Sequence, residues 1–333
     1  MKNPSLPVIA GAIGVAALLA LPNFLQNYGV FLLSTWAVMT IAAIGLNLTL
    51  GYAGQVSLAQ GAFVGVGAYV TALLTTKLGV PMPLAFLGSG LLAFCIGWAL
   101  GYPALRVQHH YLAFVTLSFT TLMFLVFRNE EWLTGGVSGI SGIMRPAIFG
   151  YALNSAVAFC YFCLGCLAIV SFAVWWLVRS PWGRAFVALR ENPVRAASLG
   201  VDTRRYTLMA FAIGSGLGGL AGGLYAPLVQ YIEPASFTLS LSLNLLLMVV
   251  VGGSGFFMGP FLGALIAILL PEWLRFTEGL YLMLYALAVM ALMAFSPRGL
   301  LGLLDDFFTR RKTVRASAAR AQAQATFQPG ERS

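Results

Sequence analysis

Charge is scarce in this chain. Asp, Glu, Lys and Arg make up 9% of its 333 residues, whereas 59% are hydrophobic and the mean hydropathy is +0.87. A soluble globular domain carries about a quarter of its residues as charges, so this sequence cannot clothe a water-facing surface. It reads as an all-α polytopic membrane protein. Lysine is rarer still. The three lysines follow Met1, Thr76 and Arg311, and a phosphate-binding loop needs Gly directly before its Lys, which excludes that nucleotide site from this chain. The only two histidines, His109 and His110, are adjacent and point to different sides of a helix, which excludes a metal pair and a Ser/His/Asp constellation. The four cysteines, Cys95, Cys160, Cys163 and Cys166, all lie in apolar runs. They imply neither a disulfide framework nor a metal site and read as small packing residues.

Ten apolar runs are present, at about 8–25, 29–50, 57–78, 84–105, 110–128, 151–178, 206–229, 238–254, 259–275 and 280–296. The first resembles a signal peptide but lacks a small-residue cleavage site after Leu21-Pro22-Asn23, so an uncleaved span is expected. No Asp, Glu, Lys or Arg falls in the central part of any run. A carrier with its own proton relay or a voltage sensor needs such groups, so the energy source is expected on another chain. Sodium coupling through backbone carbonyls of broken helices is the exception that needs no carboxylate.

The net charge of +9 does not mark a nucleic-acid binder, because the basic residues are confined to gaps between runs and to the tail. Counting alternate gaps puts 15 of the 19 on one side, which the positive-inside rule makes the cytoplasm. Both termini are then cytoplasmic. Residues 1–304 form the membrane domain, and the polar segment 305–333 is expected to be a disordered tail. The gap 129–150, rich in glycine, falls outside and should hold tight turns.

The largest polar interruption runs from Arg179 to Arg205 and carries six arginines against Glu191 and Asp202. Asn192 stands at an N-cap, Pro193 at the first helical position and Gly200 where a helix ends in the left-handed conformation, which predicts a short helix over 193–199. A preceding helix over 183–191 would put Ala185, Phe186 and Leu189 on one side. A solvated topological loop is the plain alternative.

The stretch Gly51-Tyr52-Ala53-Gly54-Gln55-Val56-Ser57-Leu58-Ala59-Gln60-Gly61 interrupts apolar sequence near membrane depth. Irregular polar backbone is tolerated there only inside protein or beside a water-filled cavity. Asn47, Gln55, Ser57, Gln60 and Asn244 are polar in apolar surroundings and are candidates for a solute path. Glycines four apart, such as Gly214/Gly218, Gly218/Gly222 and Gly219/Gly223, allow helices to approach closely.

The ordered set Gly45-Leu46-Asn47, Gly51 to Leu58, Gly61-Ala62-Phe63, Gly67-Ala68-Tyr69, Thr134-Gly135-Gly136, Arg190-Glu191-Asn192 with Ala196-Ala197 and Leu199-Gly200, Gly218 to Gly222, and Val251-Gly252-Gly253 with Gly259-Pro260 resembles one family. It is similar to permease subunits of ATP-binding-cassette importers for branched-chain amino acids, in the LivM-like branch. The resemblance implies that Arg190, Glu191, Asn192, Arg195, Ala196, Ala197, Leu199 and Gly200 form the element coupling the permease to a separate ATPase.

It further implies a bacterial inner-membrane location, a second homologous permease, two ATPase subunits holding ATP and Mg, and an external solute-binding protein. No cofactor, metal or nucleic acid is expected on this chain. Two departures stand out: Arg195 precedes Ala196-Ala197 and Gly200 comes one place early against the general importer pattern, and Gln60 stands where relatives commonly have His. The same permease type serves urea, short amides and aromatic acids. A stand-alone secondary carrier would show a similar pattern of spans.

Overall fold

The computed structural model describes residues 20–104, 109–143, 145, 147–148, 151–152, 155–274, 290 and 299–302. Its helices are α1 (Asn27–Leu46), continued by a π-helical turn over Asn47–Tyr52, then α2 (Gln60–Thr76), α3 (Met82–Ala104), α4 (His109–Asn129) and the single turn α5 (Glu131–Thr134). There follow α6 (Ala156–Arg179), α7 (Pro181–Glu191), α8 (Pro193–Ser198), α9 (Thr203–Val229), α10 (Leu239–Gly252) and α11 (Gly259–Leu274). Eight of the ten expected spans coincide with helices. The first, apart from residues 20–25, and the tenth, apart from Met290, lie outside the described residues, as does the tail.

Among the described residues five helices are long and apolar enough to cross a membrane: Asn27–Tyr52, Met82–Pro103, Leu112–Asn129, Ala156–Arg179 and Thr203–Val229. Helices α2, α10 and α11, of 17, 14 and 16 residues, are shorter than the roughly 20 residues a span needs. The causes are local. Residues 53–59 stay irregular, with Gly54 at φ +71°, so α2 starts at Gln60 rather than at 57. The expected span beginning at 151 starts at 156, because Tyr151–Ala152 pairs with Ala147–Ile148 as a two-residue hairpin.

Helix α9 is the centre of the bundle and packs against α1, α2 and α3. Its glycines make this possible. A Cβ on Gly222 would collide with the Val64 carbonyl oxygen of α2, and one on Gly67 with the Gly219 backbone of α9. On the other side of α9, a Cβ on Gly97 of α3 would lie 2.5 Å from the Ser215 side chain. Packing of this kind replaces the hydrophobic drive that lipid cannot supply between helices.

The two ends of the bundle differ. The Ala156 end of α6 and the Val229 end of α9 come together at one face, where Ala156 and Leu228 line one cavity, and the Arg179 and Thr203 ends, joined by α7 and α8, at the other, where Val178 and Tyr206 pack on one cluster. The first face carries the glycine-rich gap, where Gly135, Gly136, Gly139 and Gly142 all have positive φ. That gap is tied down at two points. Ile140–Ser141 pairs antiparallel with Tyr231–Ile232, and Lys77 Nζ donates to the carbonyls of Trp132 and Leu133 at 2.7 and 3.1 Å.

Candidate functional site

The loop between α6 and α9 folds through side-chain caps. Ser180 Oγ accepts from Trp182 N at 3.2 Å, with Pro181 at the first helical position of α7. Asn192 Oδ1 accepts from Arg195 N at 3.0 Å and starts α8. Asp202 Oδ1 accepts from Arg205 N at 3.1 Å and starts α9. Helix α8 ends as the sequence predicts, with Gly200 at φ +83° and Val201 N donating to Ala196 O at 3.0 Å. Each cap satisfies backbone groups that a helix end leaves open.

One side of α7 is buried: Gly183, Ala185, Phe186 and Leu189. Phe186 is fully enclosed in a small cluster with Leu48, Tyr52, Ala53 and Ala210, which seats α7 on the π-helical end of α1 and on α9. The opposite surface is open. Glu191, Arg195, Ala197 and Ser198 are exposed, and two apolar side chains stand out with them, Val194 at 79% and Leu199 at 83%. Asn192 is half-buried and Ala196 buried.

Arg190 connects this loop to the membrane core. Its Nη1 donates to the carbonyl oxygen of Gly51, the last residue but one of the π-helical turn, and its stem passes over Gly54. The same guanidinium lies against Gly255 in the 253–258 loop between α10 and α11, where a Cβ would strike it. Asn47 closes the junction from the other side. Its Nδ2 donates to Phe256 O at 3.0 Å and its Oδ1 accepts from Gly255 N at 2.9 Å. Three sequence-distant stretches, 47–55, 190 and 253–256, therefore meet at one point.

The remaining candidates fall into two groups. Gln55, Ser57 and Gln60 are buried and satisfy the irregular backbone or its neighbours. Gln55 Nε2 donates to Thr207 O at 3.0 Å, Ser57 Oγ accepts from Ala59 N at 3.3 Å, and Gln60 Nε2 donates to both Ala42 O and Gly214 O at 3.0 and 3.1 Å. Thr116 and Thr120 of α4 bond the N–H and carbonyl of Leu58, and Ser242 of α10 accepts from Gly61 N at 2.9 Å. The polar side chains of the interruption are thus buried in protein, one of the two settings in which such groups survive at membrane depth, while Val56 between them is exposed. Asn244, by contrast, is exposed on α10. Thr116, Thr120 and Ser242 carry no signal in the sequence, since hydroxyls in apolar helices commonly bond their own backbone.

Gln60 gives the first test. Gln60→Leu removes two bonds that join α1, α2 and α9, and is expected to destabilise the fold by about 1–3 kcal/mol. The check is the fraction of monodisperse protein surviving a heating series in detergent; a native-like curve would contradict the role given to this side chain.

No group of three or more His, Cys, Asp or Glu able to hold a metal is found among the described residues. Cys160, Cys163 and Cys166 are buried on α6, which packs against α1.

Comparison with known proteins adds to this geometry. The profile of the family described as "Branched-chain amino acid transport system / permease component" matches residues 29–295. The chain is 35% identical to the high-affinity branched-chain amino acid transport system permease protein LivM of Escherichia coli K12, over 79% of this chain and 68% of the relative. It is 33% identical to the LivM of Salmonella typhimurium LT2, over 85% and 72%. The autoinducer 2 import system permease protein LsrC of Escherichia coli O9:H4 is 26% identical over 80% of this chain and 76% of the relative. No solved structure matches.

Proposed function

Because the chain belongs to the branched-chain amino acid transport permease family, whose members are transport subunits of multi-pass inner-membrane importers and not enzymes, we propose that it moves branched-chain amino acids inward under the drive of a separate ATPase. The substrate reading draws on the two LivM relatives. The complete importer then comprises this chain, a second homologous permease, two ATPase subunits that hold ATP and Mg, and an external solute-binding protein. Both termini and the 179–205 loop face the cytoplasm.

One observation supports the mechanism above the rest, namely the junction at Arg190. A motion imposed on α8 by a closing ATPase has a direct route into the membrane domain, through the Gly51 carbonyl, the π-helical end of α1 and the Asn47-clamped 253–256 loop. π-helical turns are rare and recur at functional sites. The proposed solute path runs beside this interrupted region. Asn244 contacts solute or the second permease, whereas Asn47, Gln55, Ser57 and Gln60 shape the path by holding its backbone.

The exposed surface of Glu191, Val194, Arg195, Ala197 and Leu199 is the ATPase contact. Glu191→Arg reverses the charge on it. Gly200→Val forces a β-branched residue into left-handed φ, at a cost of about 1–3 kcal/mol, and spoils the end of α8. Both variants are expected to lose at least fivefold in co-purification with the ATPase while inserting normally in the membrane. Pull-down from solubilised membranes measures this, and native recovery of the ATPase by both variants would refute docking there.

A further inference from the structure

At the face opposite the 179–205 loop, three stretches far apart in sequence line a cleft of about 220 Å³ that the coupling mechanism does not use. They are the end of α4 with Phe124 and Arg128, Val137 of the glycine-rich gap, and the Glu233-Pro234-Ala235 corner beyond α9. Each wall is tied to the bundle. Phe127 of α4 and Phe237 of the Pro234–Phe237 turn both pack on Tyr69 of α2, with ring centroids 4.5 and 5.9 Å away. Ile232, next to Glu233, pairs with Ile140, and Tyr231 Oη donates to Ser138 O, next to Val137, at 3.2 Å.

The two charges of the cleft are opposite in sign and uncommitted. Among the described residues Arg128 and Glu233 form no ion pair with each other, and neither side chain makes a hydrogen bond. Other charges on this face are engaged: Lys77 Nζ holds the carbonyls of Trp132 and Leu133, and Glu130 Oε2 accepts from Trp132 Nε1 at 2.7 Å. The Glu233 carboxylate also acts electrostatically on the hydroxyl of Tyr69, a residue 2% exposed whose hydroxyl has no hydrogen-bond partner among the described residues. Buried polar groups are rarely left open in folded proteins.

We propose that this cleft is an entry subsite for the zwitterionic head of an α-amino acid, with Arg128 receiving the carboxylate and Glu233 the ammonium. A guanidinium fork matches a carboxylate, and a carboxylate accepts from all the donors an ammonium presents. Phe124, Val137 and Ala235 supply the apolar wall that an aliphatic side chain needs. The cleft is smaller than the roughly 300–1,000 Å³ of sites for drug-sized molecules, which limits it to one small solute. Urea, short amides and aromatic acids carry at most one of the two charges. This inference rests on the proposed function and narrows it to the part of the substrate recognised on the outer face.

The test is equilibrium binding of radiolabelled leucine to the assembled permease–ATPase complex, without the solute-binding protein, in nanodiscs of zwitterionic lipid. The competitors are leucine, leucinamide, which lacks the carboxylate, and 4-methylpentanoate, which lacks the ammonium. Native complex should prefer leucine about tenfold over either analogue, one charge-assisted contact each. Arg128→Gln should bring leucine down to the level of leucinamide and leave leucinamide no weaker. Glu233→Gln should bring leucine down to the level of 4-methylpentanoate and leave that anion no weaker. A side chain needed only for structure would weaken all three together. Glu130→Gln, a charge change of the same size on this face outside the cleft, should alter none of the three. Should the charge variants fail to assemble, Val137→Trp fills the cleft from a position that is 67% exposed and is expected to weaken leucine at least tenfold.

Four results would overturn the subsite: no saturable leucine binding to native complex, equal competition by the three compounds, a parallel rather than crossed loss in the two charge variants, or native leucine binding by Val137→Trp. If the complete importer drives ATP-dependent leucine uptake yet any of these is found, the subsite alone is wrong. If the complete importer moves no branched-chain amino acid, the proposed function falls instead.

Discussion

In proteoliposomes holding the complete importer, Arg190→Ala is expected to cut the solute moved per ATP hydrolysed about tenfold. Arg190 is the residue of the capped loop whose side chain hydrogen-bonds the π-helical end of α1, donating to Gly51 O and lying against Gly255, beside the apolar contact that Phe186 makes there. A hydrogen bond from a charged donor contributes about 1.5–3 kcal/mol, and the lower figure applies because the residue is exposed and the bond only part-buried. Loss of about 1.4 kcal/mol from the coupled step is a tenfold change. Hydrolysis should persist, because the ATPase contact is made by other side chains of α7 and α8. Arg190→Lys is not a neutral control: a single ammonium lacks the planar guanidinium that donates to Gly51 O while lying flat against Gly255, so partial uncoupling is expected. An Arg190→Ala importer with native stoichiometry would contradict the proposed route.

The second large effect concerns the α2–α9 crossing. Gly67→Leu and Gly222→Leu are each expected to abolish recovery of folded protein from membranes. At both positions the partner within reach is backbone, Gly219 for Gly67 and the Val64 carbonyl for Gly222, so no side chain can step aside. Overpacking in a tight interior costs about 1–3 kcal/mol when side chains can shift, and here two helices would have to separate along their length. Since α9 also packs on α1 and α3, that separation disrupts most of the bundle. Gly165→Ala serves as a control for handling, because a Cβ there meets no atom within 4 Å and its φ is not in the left-handed region. Normal size-exclusion profiles for both Leu variants would show that the crossing is looser than described.

The loop was legible in the sequence because its determinants are local. Asn192, Pro193 and Gly200 specify a start and a stop within nine residues, and the apolar spacing of Ala185, Phe186 and Leu189 specifies the buried side of α7. The apolar runs were legible for the same reason, apart from their ends. Those ends depend on features with no one-dimensional trace, such as the π-helical turn that prolongs α1 and the strand hairpin that delays α6.

The Arg190 junction was only half visible. Gly51, Gly54, Arg190 and Gly253 all belong to the stretches that carry the family resemblance, but nothing in their spacing indicates that they touch. The bond from Arg190 to Gly51 spans 139 residues, and the clamp from Asn47 to the 255–256 backbone spans more than 200. A polar residue in an apolar run signals that some buried group needs a partner, without saying which. Asn47 and Gln60 show the ambiguity well. They read as residues of a path, and their side chains are bonded to backbone of this chain.

The account depends on translocation being driven from outside this subunit through the loop between α6 and α9. The direct measurement is uptake of labelled leucine into proteoliposomes containing this chain with its second permease but no ATPase, compared with vesicles holding the whole importer, binding protein and ATP. The account predicts uptake in the second preparation alone, dependent on hydrolysis. Saturable leucine uptake in the first would contradict it.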